Sequence, residues 1–276
     1  MGWYVDTAEI GVFYLAVTPD STCSFKSTPA RFLHAALLRR LELVNPALSA
    51  KLHDNPESAS SIEKPWTVSS LSGDFQHDGV LLTLSAGQTY HARITALTPS
   101  VIQALQAAFD SAHPLGREPL IIGQVPFPLL SERCYWDNLT TYASLLTMSR
   151  PITEIILQFI SPAGFRTRSQ TPALPEPQRS IQGYLRKWNA FSELPMQTEP
   201  LLNYVNSHLT MESSQLEYAT ADFRTYYQSG WVGGVKWRAD SEIPFLLRMV
   251  NALVNYSFFC GTGMKTTQGM GQTVRI

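Results

Sequence analysis

Strand, helix, two strands, helix, strand: the first half of this chain reads in that order, and after a connecting segment the second half starts the order again. A recurring element order restricts the fold more than composition does, because each copy must close its own sheet and bury its own helices. Ile10 to Val17 is an apolar, aromatic-rich run that reads as a strand. The stretch "STPARFLHAALLRRLELVNPALSAKLHD" then carries Leu33, Leu37, Leu41, Val44 and Leu48, a core-facing helical stripe. Thr28-Pro29 supplies an N-cap and first-turn pair, and Pro46 breaks or kinks the helix into two pieces. "KPWTVSSL", "GVLLTLSA" and "TYHARITAL" read as strands, "PSVIQALQAAFDSAH" as a second helix and "PLIIGQVPF" as the closing strand. "CYWDNLTTYASLLTMSRP" reads as the connection.

In the second half "TEIILQFI" reads as a strand and "LPEPQRSIQGYLRKWNAF" as a helix behind proline punctuation. "GWVGGVKWRA" is a strand pair or a bulged strand. "SEIPFLLRMVNALVNYSFF" is a helix with Ser241 as its cap and Pro244 in its first turn, and "TVRI" is a short final strand. The expected fold is α+β, with two tandem ferredoxin-like (β-α-β-β-α-β) domains at residues 1–132 and 151–276, joined by residues 133–150.

Composition then removes whole classes of function. With 276 residues and 44% hydrophobic content the chain can bury a core in each half. No apolar run is long and clean enough to span a bilayer, so no membrane partner is expected. The opening residues lack the basic stretch of a secretory signal. Cys23, Cys134 and Cys260 are odd in number and far apart, which suits reduced thiols in a cytoplasm. The six histidines, at 34, 53, 77, 91, 113 and 208, show no paired helical spacing, so no metal and no cofactor is expected. The net charge of −1 hides an uneven distribution: from Arg224 onward six Lys or Arg face two acids. A basic end beside a glycine-rich loop favours an anionic partner.

That loop lies in "FFCGTGMKTTQGMGQT", residues 258 to 273, which holds four of the chain's sixteen glycines. A nucleotide-binding P-loop needs G-x-x-x-x-G-K-[ST] between a strand and a helix. Here Met264 separates Gly263 from Lys265, the preceding segment is helical, and little chain remains for a Walker-B strand.

Taken in order, "LHAALL", "PALSAKLHD", "KPWTVSSL", "LQFISPAGFR", "LPEPQRSIQGYLRKWN", "GWVGGVKWR" and "GTGMKTTQGMGQT" resemble the motifs of the CRISPR repeat-processing endoribonucleases. They span residues 33 to 273. The resemblance implies two ferredoxin-like domains that bind CRISPR repeat RNA, often as a stem-loop. It also implies metal-independent cleavage at the stem base, leaving a 2′,3′-cyclic phosphate and a 5′-hydroxyl. Many members stay on the guide RNA as a subunit of an interference complex. The alternative is a catalytically weak or inactive subunit of the same fold that caps the guide RNA.

Such cleavage asks for orientation, acid–base work and charge stabilisation. His34, at the edge of the first helix's apolar stripe, matches the family's catalytic histidine and is the candidate general base or acid. The resemblance suggests a cation six residues on, where this chain has Arg40 rather than Lys. Arg39 and Lys51 are the other candidate cations, and the competing reading of all three is solvent-facing helix charge. No tyrosine stands where the family's triad would have one.

Gly261, Gly263, Gly269 and Gly271 would let backbone amides face phosphates or bases, with Lys265, Thr266, Thr267 and Gln268 as further donors. The competing reading is a structural turn. Arg166 and Arg168 are candidate phosphate contacts at the stem base. Lys236 and Arg238 alternate with Val235 and Trp237, which puts both cations on one strand face, a candidate basic RNA contact whose competing reading is a face that meets only solvent. Arg186 and Lys187 could add to the basic surface.

Overall fold

The computed structural model describes residues 7–26, 29–53, 63–78, 81–165, 172–223, 226–241 and 243–276. The chain divides into two compact units. One comprises residues 1–139 with Asp222–Tyr226 and Thr267–Gly269; the other comprises residues 140–221, 227–266 and 270–276.

The first unit begins with β1 (Ile10–Val17), β2 (Cys23–Phe25), α1 (Pro29–Val44) and α2 (Pro46–His53). Then come β3 (Trp66–Val68), β4 (Gln76–His77), β5 (Leu82–Leu84) and β6 (Tyr90–Ala96). It closes with α3 (Pro99–Phe109), β7 (Leu120–Ile122), β8 (Val125–Phe127) and β9 (Tyr135–Thr140). Its main sheet has the order β3-β6-β1-β9. If α1 and α3 are the two crossover helices, that order is 2-3-1-4 of a β-α-β-β-α-β unit, the ferredoxin-like arrangement. β1 runs antiparallel to β6, pairing Leu15 with Ala92 and Tyr14 with Arg93.

Alternation sends Phe13, Leu15 and Val17 to the helical side, where they meet Leu33, Leu37, Leu41 and Leu105. Leu33, Leu37 and Leu41 are fully buried. Each contributes roughly 1.5–3 kcal/mol of apolar burial, which fixes the rotation of α1 and so the direction of its remaining side chains. Pro46 divides the helical run, as expected, and Thr28 lies outside the described residues.

Two expectations for this half are corrected. "PLIIGQVPF" folds back on itself as the two-stranded hairpin β7–β8, turning at Gly123-Gln124, instead of closing the main sheet. The closing strand is β9, inside the segment read as a connection. "GVLLTLSA" likewise leaves the main sheet, since its β5 joins β2 and β4 in a small sheet of its own.

The second unit starts with α4 (Tyr142–Met148), β10 (Glu154–Ala163), α5 (Pro177–Phe191) and α6 (Thr198–His208). It continues with β11 (Leu209–Asp222), β12 (Tyr227–Ala239), α7 (Pro244–Cys260) and β13 (Thr273–Arg275). The order β11-β12-β10-β13 is again 2-3-1-4, with α4 and α6 as additions. Trp188 and Trp237 are fully buried, with Tyr142 and Tyr256 packed around Trp188. β12 is one strand with an irregularity at Gly233, not a strand pair. α7 is preceded by Ile243, while the Ser241 carbonyl accepts a hydrogen bond from the Tyr204 hydroxyl, so Ser241 is not the cap. Among the described residues no helix is long and apolar enough to cross a membrane.

Candidate functional site

The buried stripe of α1 leaves His34 at its margin, half-buried, with its ring 5.3 Å from that of Trp66 at an interplanar angle of 39°. Trp66 is fully buried in β3, so it forms a fixed wall for the imidazole. One turn before His34 stands Ala30, also fully buried. Gly269, at the tip of the glycine-rich loop, packs against Ala30 so closely that a Cβ there would lie 2.6 Å from the Ala30 Cβ. The Gly269 amide donates to the Val68 carbonyl of β3 at 2.9 Å. Within the first unit, the helix turn carrying His34 and the tip Thr267–Gly269 are therefore neighbours. Thr267 and Gln268 are half-buried there.

The rest of the loop is stitched to its own unit. Gly261 donates to Ser257 O at 2.9 Å and Gly271 to Pro162 O at 3.0 Å. Thr262 donates to Gly271 O at 2.8 Å and Met264 to Gly164 O at 2.9 Å. At Gly271 (φ 71°) a Cβ would sit 2.1 Å from Thr262 O, so this position demands glycine for close backbone packing. The expectation that the glycine amides face phosphate is thus corrected for Gly261, Gly269 and Gly271, whose N–H groups are spent on protein carbonyls. Gly263 packs over the Gly164 backbone, and Lys265 takes a positive φ of 57°.

Beneath the loop lies a buried polar chain. The Tyr184 hydroxyl is 2.6 Å from Thr262 Oγ1, which is in turn 2.6 Å from Thr273 Oγ1. Burial pushes the Tyr184 phenol well above its ordinary pKa, so it stays a neutral hydroxyl. Lys187 donates to Cys260 O at 2.5 Å and to Thr266 Oγ1 at 3.3 Å. It is 6% exposed, so it braces the loop from within and adds nothing to a basic surface, contrary to expectation. Thr266 is likewise buried and held by Lys187.

The cations singled out beside His34 separate. Arg40 is buried, and its guanidinium donates to Ala108 O at 3.3 Å, Leu115 O at 2.5 Å, Glu118 O at 2.7 Å and Pro119 O at 3.1 Å. It also covers the Phe109 ring at 5.7 Å. Burial draws its pKa down and the Glu118 carboxylate opposes that. Arg40 therefore ties α1 to the end of α3 and the chain that follows it, and its assignment as a catalytic cation is corrected. Arg39 is exposed on α1, about 140° around the helix from His34 at 3.6 residues per turn. Lys51 is exposed on α2, where its carbonyl accepts from Lys64 Nζ at 2.9 Å.

Lys236 and Arg238 do share one strand face, but not as bare charge. Lys236 Nζ lies 2.9 Å from Glu154 and 3.1 Å from Glu212; Arg238 lies 3.0 Å from Glu154 and 2.8 Å from Glu212. Hydrogen bonds from Arg238 and Lys236 hold the Glu212 carboxyl below the ordinary range. Two cations against two carboxylates make a locally neutral face, so the basic-face expectation is corrected. Arg166 and Arg168 lie outside the described residues.

Sequence reasoning passed over one cation. Arg31 is exposed on α1 three residues before His34, and its Nη1 donates to Phe223 O at 2.8 Å. The i, i+3 spacing on the catalytic-helix candidate was the available signal.

A family model described as CRISPR-associated endoribonuclease Cas6 matches residues 157–273, from β10 to the start of β13. Among solved structures, a Cas6 product complex shares 21% identity over 98% of this chain and 100% of its own, with a TM-score of 0.78. Cas6 of Thermus thermophilus shares 20% identity over 98% and 99%, with a TM-score of 0.70. A Cas6-related protein from Pyrococcus furiosus shares 11% identity over 97% and 98%, with a TM-score of 0.67. No curated protein sequence matches. The family match over the second half and the fold shared along the chain bear out the resemblance to the CRISPR repeat-processing endoribonucleases.

Proposed function

We propose that this chain is a CRISPR RNA-processing endoribonuclease that cuts repeat RNA by the RNA's own 2′-hydroxyl. The observation that carries the reading is the adjacency of His34, backed by Trp66, to the glycine-loop tip at Ala30. Histidine, whose unperturbed pKa is close to neutrality, can take a proton from the 2′-hydroxyl or give one to the leaving 5′-oxygen. The 2′-oxygen bonds to phosphorus as the P–O5′ bond breaks, leaving a 2′,3′-cyclic phosphate and a 5′-hydroxyl. Thr267 and Gln268 carry side-chain donors at the tip. The product and substrate-mimic complexes named for two of the similar structures, and a third described as a RAMP protein binding different RNA substrates, support repeat RNA as the partner. In this reading the protein then keeps hold of its guide RNA and joins an interference complex.

A second reading, an RNA-capping subunit without useful cleavage, draws on the burial of Arg40, which removes the cation the family spacing supplied. Substitution His34→Ala separates the two. The enzyme loses its single-turnover cleavage by more than a hundredfold with RNA affinity nearly unchanged. A wild-type protein that binds repeat RNA tightly and never cuts it supports the capping reading.

A further inference from the structure

With Arg40 consumed by four carbonyls, the charge that cleavage develops on the scissile phosphate lacks an assigned counterpart. We infer that Arg31 is that counterpart, donating to the non-bridging phosphate oxygens beside His34. The inference rests on the endoribonuclease reading and deepens it.

Three features lead there. Arg31 and His34 are three residues apart on one continuous helix, which puts their Cβ atoms on one face about 5–6 Å apart. Leu33 and Leu37 fix the rotation of that helix by complete burial, so the face is set by packing. The second feature is pre-orientation. Arg31 Nη1 donates to the carbonyl of Phe223, a residue 1% exposed and stacked on Tyr226 with ring centroids 5.2 Å apart. One edge of the guanidinium fork is thereby held on the carbonyl of a buried residue while the side chain as a whole remains exposed. A guanidinium has five N–H donors, and a single carbonyl takes one of them.

The third feature is the neighbour. Ala30, adjacent to Arg31, carries the contact with Gly269. The half-buried donors Thr267 and Gln268 therefore border the same helix turn. A phosphate held among these groups would meet a planar, permanently charged fork on one side and an imidazole on the other. That division of labour suits an arginine, which supplies charge and geometry but does not exchange protons near neutral pH.

Single-turnover cleavage of labelled repeat RNA by the full chain in EDTA tests this, with Arg31→Ala, Arg31→Lys and wild type compared. Arg31→Ala is expected to lose about a hundredfold to a thousandfold in rate, the usual effect of removing one transition-state donor. Its RNA dissociation constant and thermal midpoint are expected to stay near wild type. Added methylguanidinium should restore part of the lost rate, which no purely structural role predicts. Arg31→Lys keeps the charge without the fork and should fall between, and it covers the case in which Arg31→Ala misfolds. A rate in both folded variants equal to wild type overturns the inference and leaves the endoribonuclease reading standing. Absence of cleavage by the wild type on RNA it binds overturns both.

Discussion

Replacement of Arg40 by methionine separates a structural arginine from a catalytic one. Methionine keeps a flexible stem over Phe109 and removes every N–H. The carbonyls of Ala108, Leu115, Glu118 and Pro119 then lose a charged donor. A hydrogen bond from an ionised donor contributes about 1.5–3 kcal/mol, but relief of the guanidinium's burial and returning water offset part of the loss. The net cost is about 3 kcal/mol, the upper end of what buried acceptors left without their donor cost. At roughly 2–4 °C per kcal/mol for a chain this size, the thermal midpoint falls on the order of 10 °C. Urea unfolding followed by tryptophan fluorescence reads the stability. Single-turnover cleavage well below the variant's midpoint reads the chemistry, and it is expected to stay within a few-fold of wild type. Stability unchanged within about 0.5 kcal/mol, the ordinary spread for a surface substitution, together with a hundredfold loss of cleavage, would refute the structural assignment.

Other expectations follow from the same geometry. Gly271→Ala puts a Cβ 2.1 Å from a backbone carbonyl at positive φ, so it should displace the loop and weaken repeat-RNA binding at least tenfold by filter binding. Lys187→Met leaves Cys260 O and Thr266 Oγ1 without their donor, costing about 1–3 kcal/mol in urea unfolding, and should raise KM more than it lowers kcat. Lys236→Ala with Arg238→Ala should leave the thermal midpoint unchanged and alter the salt slope of RNA binding by less than one phosphate contact, about 0.7–0.9. The Glu212 carboxyl is depressed in the folded protein, so its contribution is present above the unfolded pKa and lost only as pH falls through the lower folded value. An NMR titration of the Glu212 side chain should therefore show a midpoint below the ordinary carboxylate range.

What the sequence made legible, and what it hid, divides along local and non-local lines. The stripe Leu33, Leu37, Leu41 and the break at Pro46 are set by residues within a turn or two, and α1 and α2 follow them. β9 was hidden because "YWDNLT" is a largely exposed, polar edge strand with Asn138 at a positive φ, whereas the more apolar "PLIIGQVPF" advertised a strand and folds as a hairpin. Arg40 looked like surface helix charge since its acceptors lie 68 to 79 residues further along the chain. Alternation placed Lys236 and Arg238 on one face, but their neutralising carboxylates come from β10 and β11, whose register no local pattern encodes. The glycine loop was visible as a loop; that its amides close on protein carbonyls depends on Pro162 and Gly164 being folded against it.

The central claim, attack by the RNA's own 2′-hydroxyl, is tested most directly with one substrate pair. Purified protein is given labelled repeat RNA in excess EDTA, alongside the same RNA carrying a single 2′-deoxy nucleotide at the cut site. The account predicts one cut in the first, with a 2′,3′-cyclic phosphate end, and none in the second. Cleavage that survives the deoxy substitution, or that requires added magnesium, would contradict it.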